Sequence, residues 1–423
     1  MHYFWYKDNE LYGENVPIRL ICEEVGTPVF IYSQQTLERH FKTFREPFDK
    51  LDHLICYSIK ACSNIAIVKL FTSLGGGVDI VSGGELYRAL KAGVDPSKIV
   101  YSGVGKTAAE IDQALKADIL MFNVESEEEL ALLNQRALTL GKQARISLRV
   151  NPDVDPKTHP YISTGLRSNK FGIEMARCKD IYLYAKEMPG VDPTGVDCHI
   201  GSQLTDLGPF MEATEKVGKL IDELRSMGLD IRYLDIGGGL GIPYESEEPP
   251  SPAEYGKAII ERVKDMDVTL ILEPGRVLVG NAGILVTKVL FQKSGPEKNF
   301  VIIDAAMNDL VRPTLYDAYH DVWKIANPDG EGSSRKKIVA DLVGPICESG
   351  DFLAKSREID EVHSGELLAF MSAGAYGFCM SSNYNSRPRA AEVLVDGDSY
   401  SVIRERETYE DLIHGEKIPV SVF

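Results

Sequence analysis

Along the first two thirds of the chain, short apolar runs rich in β-branched residues alternate with longer segments whose apolar positions recur at helical spacing. Eight such runs end in polar or glycine-rich residues: 53–61, 77–82, 99–103, 119–125, 145–151, 194–201, 233–239 and 269–276. This alternation predicts strands joined by crossover helices. In the segment 84–92, for example, Leu86, Ala89 and Leu90 are expected on one face. Eight strand–helix units in about 240 residues predict a (β/α)8 barrel. An open doubly wound sheet is the alternative. In both, function gathers where strands end.

From about residue 283 the pattern changes. Val/Ile-rich runs at 284–291, 300–304, 337–343, 366–371, 392–395 and 399–404 follow one another with few helices between them. They predict an antiparallel β domain, and Asp396-Gly397 reads as a hairpin turn. A strand-like piece at 3–6 is expected to join this domain. The expected organisation is an N-terminal segment, 1–30, joining the β domain; a barrel, 31–282; and a C-terminal β domain, 283–423. Residues 245–252 read as an exposed loop and 324–337 as a polar insertion.

Composition narrows the class. A chain of 423 residues suits two or three domains. Its 46 Lys and Arg against 63 Asp and Glu give a net charge of −17, which disfavours nonspecific nucleic-acid binding. No apolar run reaches the roughly 18 residues of a membrane span, and residues 1–8 lack the pattern of a signal peptide. Seven widely spread cysteines without C-x-x-C argue against a disulfide scaffold or structural zinc. A reducing cytoplasm fits that usage.

Candidate chemistry lies at the predicted strand ends. Lys60 closes the first strand, where its amine suits a Schiff base with a carbonyl cofactor; a solvated loop lysine is the plain alternative. Gly237-Gly238-Gly239 follows the seventh strand, where backbone N–H groups can approach a phosphate, or it is simply a tight turn. Glu273-Pro274-Gly275-Arg276 ends the eighth. There a carboxylate suits a protonated ring nitrogen, and the guanidinium suits an anion gripped at two points. A structural Arg–Glu pair would look the same. His199 ends the sixth strand, placed to stack on a planar cofactor or to sit as a core histidine. Asp79 precedes Ser82-Gly83-Gly84-Glu85, which reads as a helix N-cap with an acidic first turn. In the β domain, Arg312–Tyr316, Cys347–Asp351 and Gly374–Gly377 each read singly as a turn with a buried aromatic or thiol.

Together a lysine, a phosphate cradle, an acid for a ring nitrogen and a stacking imidazole are what pyridoxal 5′-phosphate (PLP) requires. Zinc, nicotinamide and catalytic-triad readings each lack a required motif. The chain resembles the diaminopimelate decarboxylases, of the alanine-racemase-like PLP fold, over essentially its whole length. The matching residues are 57–61, 79–86, 151–173 with Thr158-His159-Pro160 and Lys170-Phe171-Gly172, 198–203, 237–239, 273–276, 312–316, 347–351 and 374–377. Ser58 and Cys62 depart from it, since the family usually reads Ala and Asn around the lysine.

The resemblance implies that Lys60 binds PLP covalently and that His199 stacks on its ring. Glu273 would face the ring nitrogen. Gly239, with Gly238 and the Glu273–Arg276 turn that includes Gly275 and Arg276, would hold the phosphate, and Ser202 and Asp79 would also bind the cofactor. Arg276, Arg312 and Tyr316 would bind the substrate's distal carboxylate, Glu348 its distal ammonium, and Tyr376 both cofactor and substrate. Cys347 would donate the proton, from the neighbouring subunit of a homodimer with shared active sites. The implied reaction converts meso-2,6-diaminopimelate to L-lysine and CO2, the last step of lysine biosynthesis. A related decarboxylase of ornithine, arginine or carboxynorspermidine is the nearest alternative. A racemase would need a catalytic tyrosine instead of Cys347, and a noncatalytic relative would have no need to keep Lys60, His199, Glu273 and Cys347.

Overall fold

A computed structural model describes residues 2–155, 169–326, 336–419 and 421. The chain divides into two compact units, Glu38–Val279 and Met1–Leu37 with Gly280–Phe423. In the first, eight strands pair in parallel: β1 (His53–Ser58), β2 (Gly77–Ile80), β3 (Ile99–Tyr101), β4 (Met121–Val124), β5 (Ala144–Asn151), β6 (Val191–Asp197), β7 (Tyr233–Asp235) and β8 (Thr269–Leu272). Neighbours follow chain order, and β8 returns to β1 through Leu270–His53 and Leu272–Ile55. That last pairing removes both free edges and makes the sheet a closed barrel rather than a doubly wound one.

Local chemistry starts the helices at the mouth of the barrel. Ser82, Thr107, Ser126 and Ser251 each accept an N–H of the following first turn, and Thr107/Glu110 and Ser251/Glu254 form reciprocal capping boxes. On the helix Gly83–Lys91, Leu86 and Ala89 are buried but Leu90 points outward, so the inward face is narrower than the sequence suggests. Cys56, Val100, Met121 and Ile271, from four barrel strands, form an apolar cluster. Buried polar residues sit at or near the strand ends, as Asp79, Asn123, Asp197, Asp235 and, just past β8, Glu273 do, with Ser147 midway along β5.

The second unit is built on a large sheet. Its main order is Phe352–Asp360, Lys337–Val343, Asn299–Ile303, Gly283–Ser294, Val29–Ser33, Ala391–Asp396 and Ser399–Arg404. Most pairs are antiparallel, but Asn299–Ile303 with Lys337–Val343 and Val29–Ser33 with Ala391–Asp396 run parallel. The strand near residues 3–6 joins this unit as expected, but in a sheet of its own. Phe4–Lys7 pairs with Glu10–Gly13 in a separate three-stranded sheet, whose Phe4, Leu11 and Val16 pack against Val29 and Ile284 of the large one. The expected hairpin is present with its turn one step along. Asp396 pairs with Ser399, so the loop is Gly397-Asp398, and Gly397 takes the positive φ of +59°.

Candidate active site

The barrel mouth is assembled from residues just beyond its strands. Lys60 lies in the turn Ile59–Ala61 directly after β1, and its Nζ is 2.7 Å from Oδ2 of Asp79 on β2. Ser58 Oγ donates to the same oxygen at 2.6 Å. The serine that departs from the family pattern therefore adds a donor to a fully buried carboxylate. Asp79 Oδ1, also buried, has no hydrogen-bond partner among the described residues.

Glycines 237 and 238 are demanded by packing as much as by any ligand. Gly237 has φ +66°, and a Cβ there would lie 2.7 Å from the His199 ring; at Gly238 it would lie 2.2 Å from the Glu273 carbonyl. Backbone bonds fix the same turn: Gly237 N–H donates to Asp235 Oδ1 at 2.9 Å, and Glu273 N–H to the Gly237 carbonyl at 2.8 Å. Gly238 N–H donates to Nδ1 of His199 at 3.2 Å. That nitrogen must carry a lone pair, so the imidazole is neutral. Burial first, then the positive charges of Arg149 and Lys60, hold its pKa well below the usual value. Geometry and electrostatics thus agree on an uncharged ring.

Glu273 is gripped by a buried polar network. Ser102 Oγ donates to its Oε1 at 3.3 Å, Asn123 Nδ2 donates to Ser102 Oγ at 3.0 Å and Asp235 Oδ2 at 3.3 Å, and Ser147 Oγ anchors Asn123 Oδ1 at 2.6 Å. Desolvation, followed by the charge of Asp79, pushes the Glu273 pKa up to about 7. Burial and the Glu273 charge push Asp197 and Asp235 well up too. Arg149 counters the rise at Asp197 and at Glu273 while pairing with Glu125 at 2.7 Å. Just past β8, Arg276 donates to Tyr244 Oη at 2.7 Å and to Ser202 Oγ at 3.1 Å. Gly275 packs against Ser58 and Ala61, where a Cβ would stand 3.1 Å from both.

The β unit gathers the remaining candidates. Arg312, buried, opens the helix Arg312–Tyr316. Thr314 Oγ1 donates to the Gly350 carbonyl at 2.7 Å, which ties this helix to the 347–351 turn. Asp351 shapes that turn by accepting from Met307 N–H and Ile346 N–H, both at 2.7 Å. Cys347 and Glu348 are exposed on it, and Cys347 N–H donates to Asn385 Oδ1 at 2.7 Å. Tyr376 is half-buried in the left-handed region at φ +56°, a costly backbone for a non-glycine residue.

Lys60, Asp79, His199, Ser202, Gly237–Gly239, Glu273, Gly275 and Arg276 thus belong to one unit, and Arg312, Tyr316, Cys347, Glu348 and Tyr376 to the other. Thr158-His159-Pro160 and most of 324–337 lie outside the described residues. Sequence reasoning passed over Asp197 and Asp235, although each is an acid at the last position of a barrel strand. It also passed over Asn123, the Arg149–Glu125 pair, Tyr244 and His320.

The donor set suits PLP: a primary amine for its aldehyde, a buried acid for its ring nitrogen, a neutral ring, and a guanidinium beside a hydroxyl and glycines for its phosphate. Residues 34–280 match the family model described as pyridoxal-dependent decarboxylase, pyridoxal binding domain. Fold and site define a pyridoxal-dependent decarboxylase, and PLP is its cofactor. Among relatives, the diaminopimelate decarboxylase of Aquifex aeolicus is 52% identical over 97% of this chain and 96% of its own. That of Vibrio cholerae is 53% identical over 97% and 98%. The crystal structure of the Helicobacter pylori diaminopimelate decarboxylase complexed with L-lysine superposes with a TM-score of 0.90 at 44% identity, covering 94% of this chain and 98% of that one. The chain belongs to the diaminopimelate decarboxylase family.

Proposed function

We propose that the chain performs its family's reaction, releasing CO2 from meso-2,6-diaminopimelate to leave L-lysine, as the last step of lysine biosynthesis. The observation that carries this reading is the Lys60 amine at the end of β1, within 2.7 Å of the buried Asp79 and close enough for its charge to act on Glu273 and His199. When bound, PLP supplies the sink for the electron pair left by the departing carboxylate. The barrel residues hold that cofactor. Lys60 would hold it through its aldehyde group, Glu273 would face its ring nitrogen and neutral His199 its ring. Gly238, Gly239, Gly275 and Arg276 would hold its phosphate, Ser202 would border it, and Asp79 keeps the lysine in place.

The β unit recognises the substrate. Arg312 and Tyr316, with Arg276, hold the distal carboxylate; Glu348 holds the distal ammonium; Tyr376 touches both cofactor and substrate. The Cys347 thiol delivers the proton to Cα, a step for which a placed acid contributes about 10²–10⁴-fold. Cys347 is exposed on its own chain, which suits a homodimer in which it completes the partner's site. Seven free cysteines suit a cytoplasmic enzyme.

Incubation of the PLP-loaded protein with meso-diaminopimelate should yield equal amounts of lysine and CO2. L-Ornithine, without a distal carboxylate, should be turned over about 10⁴–10⁵-fold less efficiently, because it brings no carboxylate to the buried Arg312. Ornithine turnover at a comparable rate would overturn the substrate assignment.

A further inference from the structure

Arg312 is buried, and a buried guanidinium needs fixed acceptors because a donor taken out of water without one is left unsatisfied. One acceptor is an imidazole: Arg312 Nη1 lies 2.8 Å from Nε2 of His320. His320 is itself fully buried, with Nδ1 2.8 Å from the Met371 carbonyl oxygen. A carbonyl only accepts and a guanidinium only donates. The ring therefore carries its hydrogen on Nδ1 and a lone pair on Nε2. A charged imidazolium in its place would aim a second hydrogen at a cation.

The surrounding backbone secures this arrangement. Asp317, at φ +53°, ends the helix Arg312–Tyr316 and turns the chain, and the His320 carbonyl accepts from Arg357 Nη1 at 2.8 Å. Met371 follows the strand Leu367–Phe370 and leads into the turn that carries Tyr376. The imidazole thus links the Arg312 side chain to the segment bearing Tyr376.

We infer that His320 is a positioning residue for substrate recognition: its neutral ring, braced on Met371, fixes the plane of the Arg312 guanidinium for a two-point grip on the carboxylate that the reaction leaves intact. Two-point recognition depends on that plane, since the guanidinium fork matches a carboxylate only when the two are aligned. The inference rests on the proposed carboxylate role of Arg312.

The test compares PLP-loaded wild type with His320→Phe, His320→Gln and Arg312→Lys. The ligands are L-lysine, which has the carboxylate, and 1,5-diaminopentane, which lacks it. His320→Phe should weaken L-lysine binding and raise the KM for meso-diaminopimelate by about 10–100-fold, with kcat changed less than about threefold. Affinity for 1,5-diaminopentane should stay unchanged. His320→Gln, which keeps a donor and an acceptor, should recover part of the loss. Wild-type lysine affinity in His320→Phe, or equal losses for both ligands, would overturn the inference. If Arg312→Lys weakens lysine while His320→Phe does not, only the role of His320 falls. If Arg312→Lys leaves lysine affinity intact, the carboxylate reading of Arg312 falls as well. Should His320→Phe not fold, the shorter polar His320→Asn decides in the same way, and intact lysine affinity there overturns the inference.

Discussion

Five carboxylates interact within the barrel, Asp79, Glu125, Asp197, Asp235 and Glu273, against the cations Lys60 and Arg149. Crowded and desolvated acids hold their protons longer. Glu273 titrates near 7 in the folded chain, whereas an unfolded glutamate titrates near 4.3. As pH rises from about 4.5 through 7, the unfolded state releases its proton first, so this group's contribution to stability is greatest at low pH and declines across the window. In cofactor-free protein, the fall in urea-unfolding free energy from pH 5 to 7 should therefore be smaller for Glu273→Gln than for wild type, by on the order of 2–3 kcal/mol. Identical pH slopes would show that Glu273 is already ionised. A bound pyridinium would reverse the balance by giving the carboxylate an opposite charge. At this scale much of the site was legible. Lys60, His199, Glu273 and Arg276 are each a reactive residue type where a strand runs out. Arg149–Glu125 and Arg312–His320 were not, because no spacing rule relates residues on adjacent barrel strands or across a left-handed turn.

Periodicity located all eight barrel strands, because each buried run is bounded by polar or glycine residues. It was weaker where an element's role depends on neighbours. Val29–Ser33, central to the large sheet, has the continuous apolar pattern of a buried strand but sits among helix-like segments, and the charged Phe352–Asp360 hides its inward positions. The glycine turn after β7 shows how an element carries two demands at once, since His199 and Glu273 wall it on either side. Gly238→Ala should destabilise the protein by about 1–3 kcal/mol through overpacking, lowering its Tm by several degrees. Gly105→Ala, where a Cβ meets open space, is the control and should be neutral. Equal melting temperatures for the two variants would mean that the turn yields freely.

For the molecule as a whole, composition and texture conveyed a barrel followed by a β domain, while the exact partition of the N-terminal strands depended on pairings across the length of the chain. The proposed shared site makes a stoichiometric prediction. Lys60→Ala and Cys347→Ala are each expected to be inactive, yet after subunit exchange about a quarter of the sites would combine an intact lysine with an intact cysteine. Activity should recover to about that fraction; no recovery after demonstrated exchange would mean that each chain works alone. The same chain order bears on biogenesis. Val29–Ser33 pairs with Gly283–Ser294 and Ala391–Asp396, so a ribosome making about 5–20 residues per second must add roughly 250 residues, ~12–50 s of translation, before the first of those partners is even polymerised. Throughout that interval a nascent polypeptide displays Val29-Phe30-Ile31-Tyr32 as an orphan sticky segment, which makes early synthesis the period of greatest need for a chaperone.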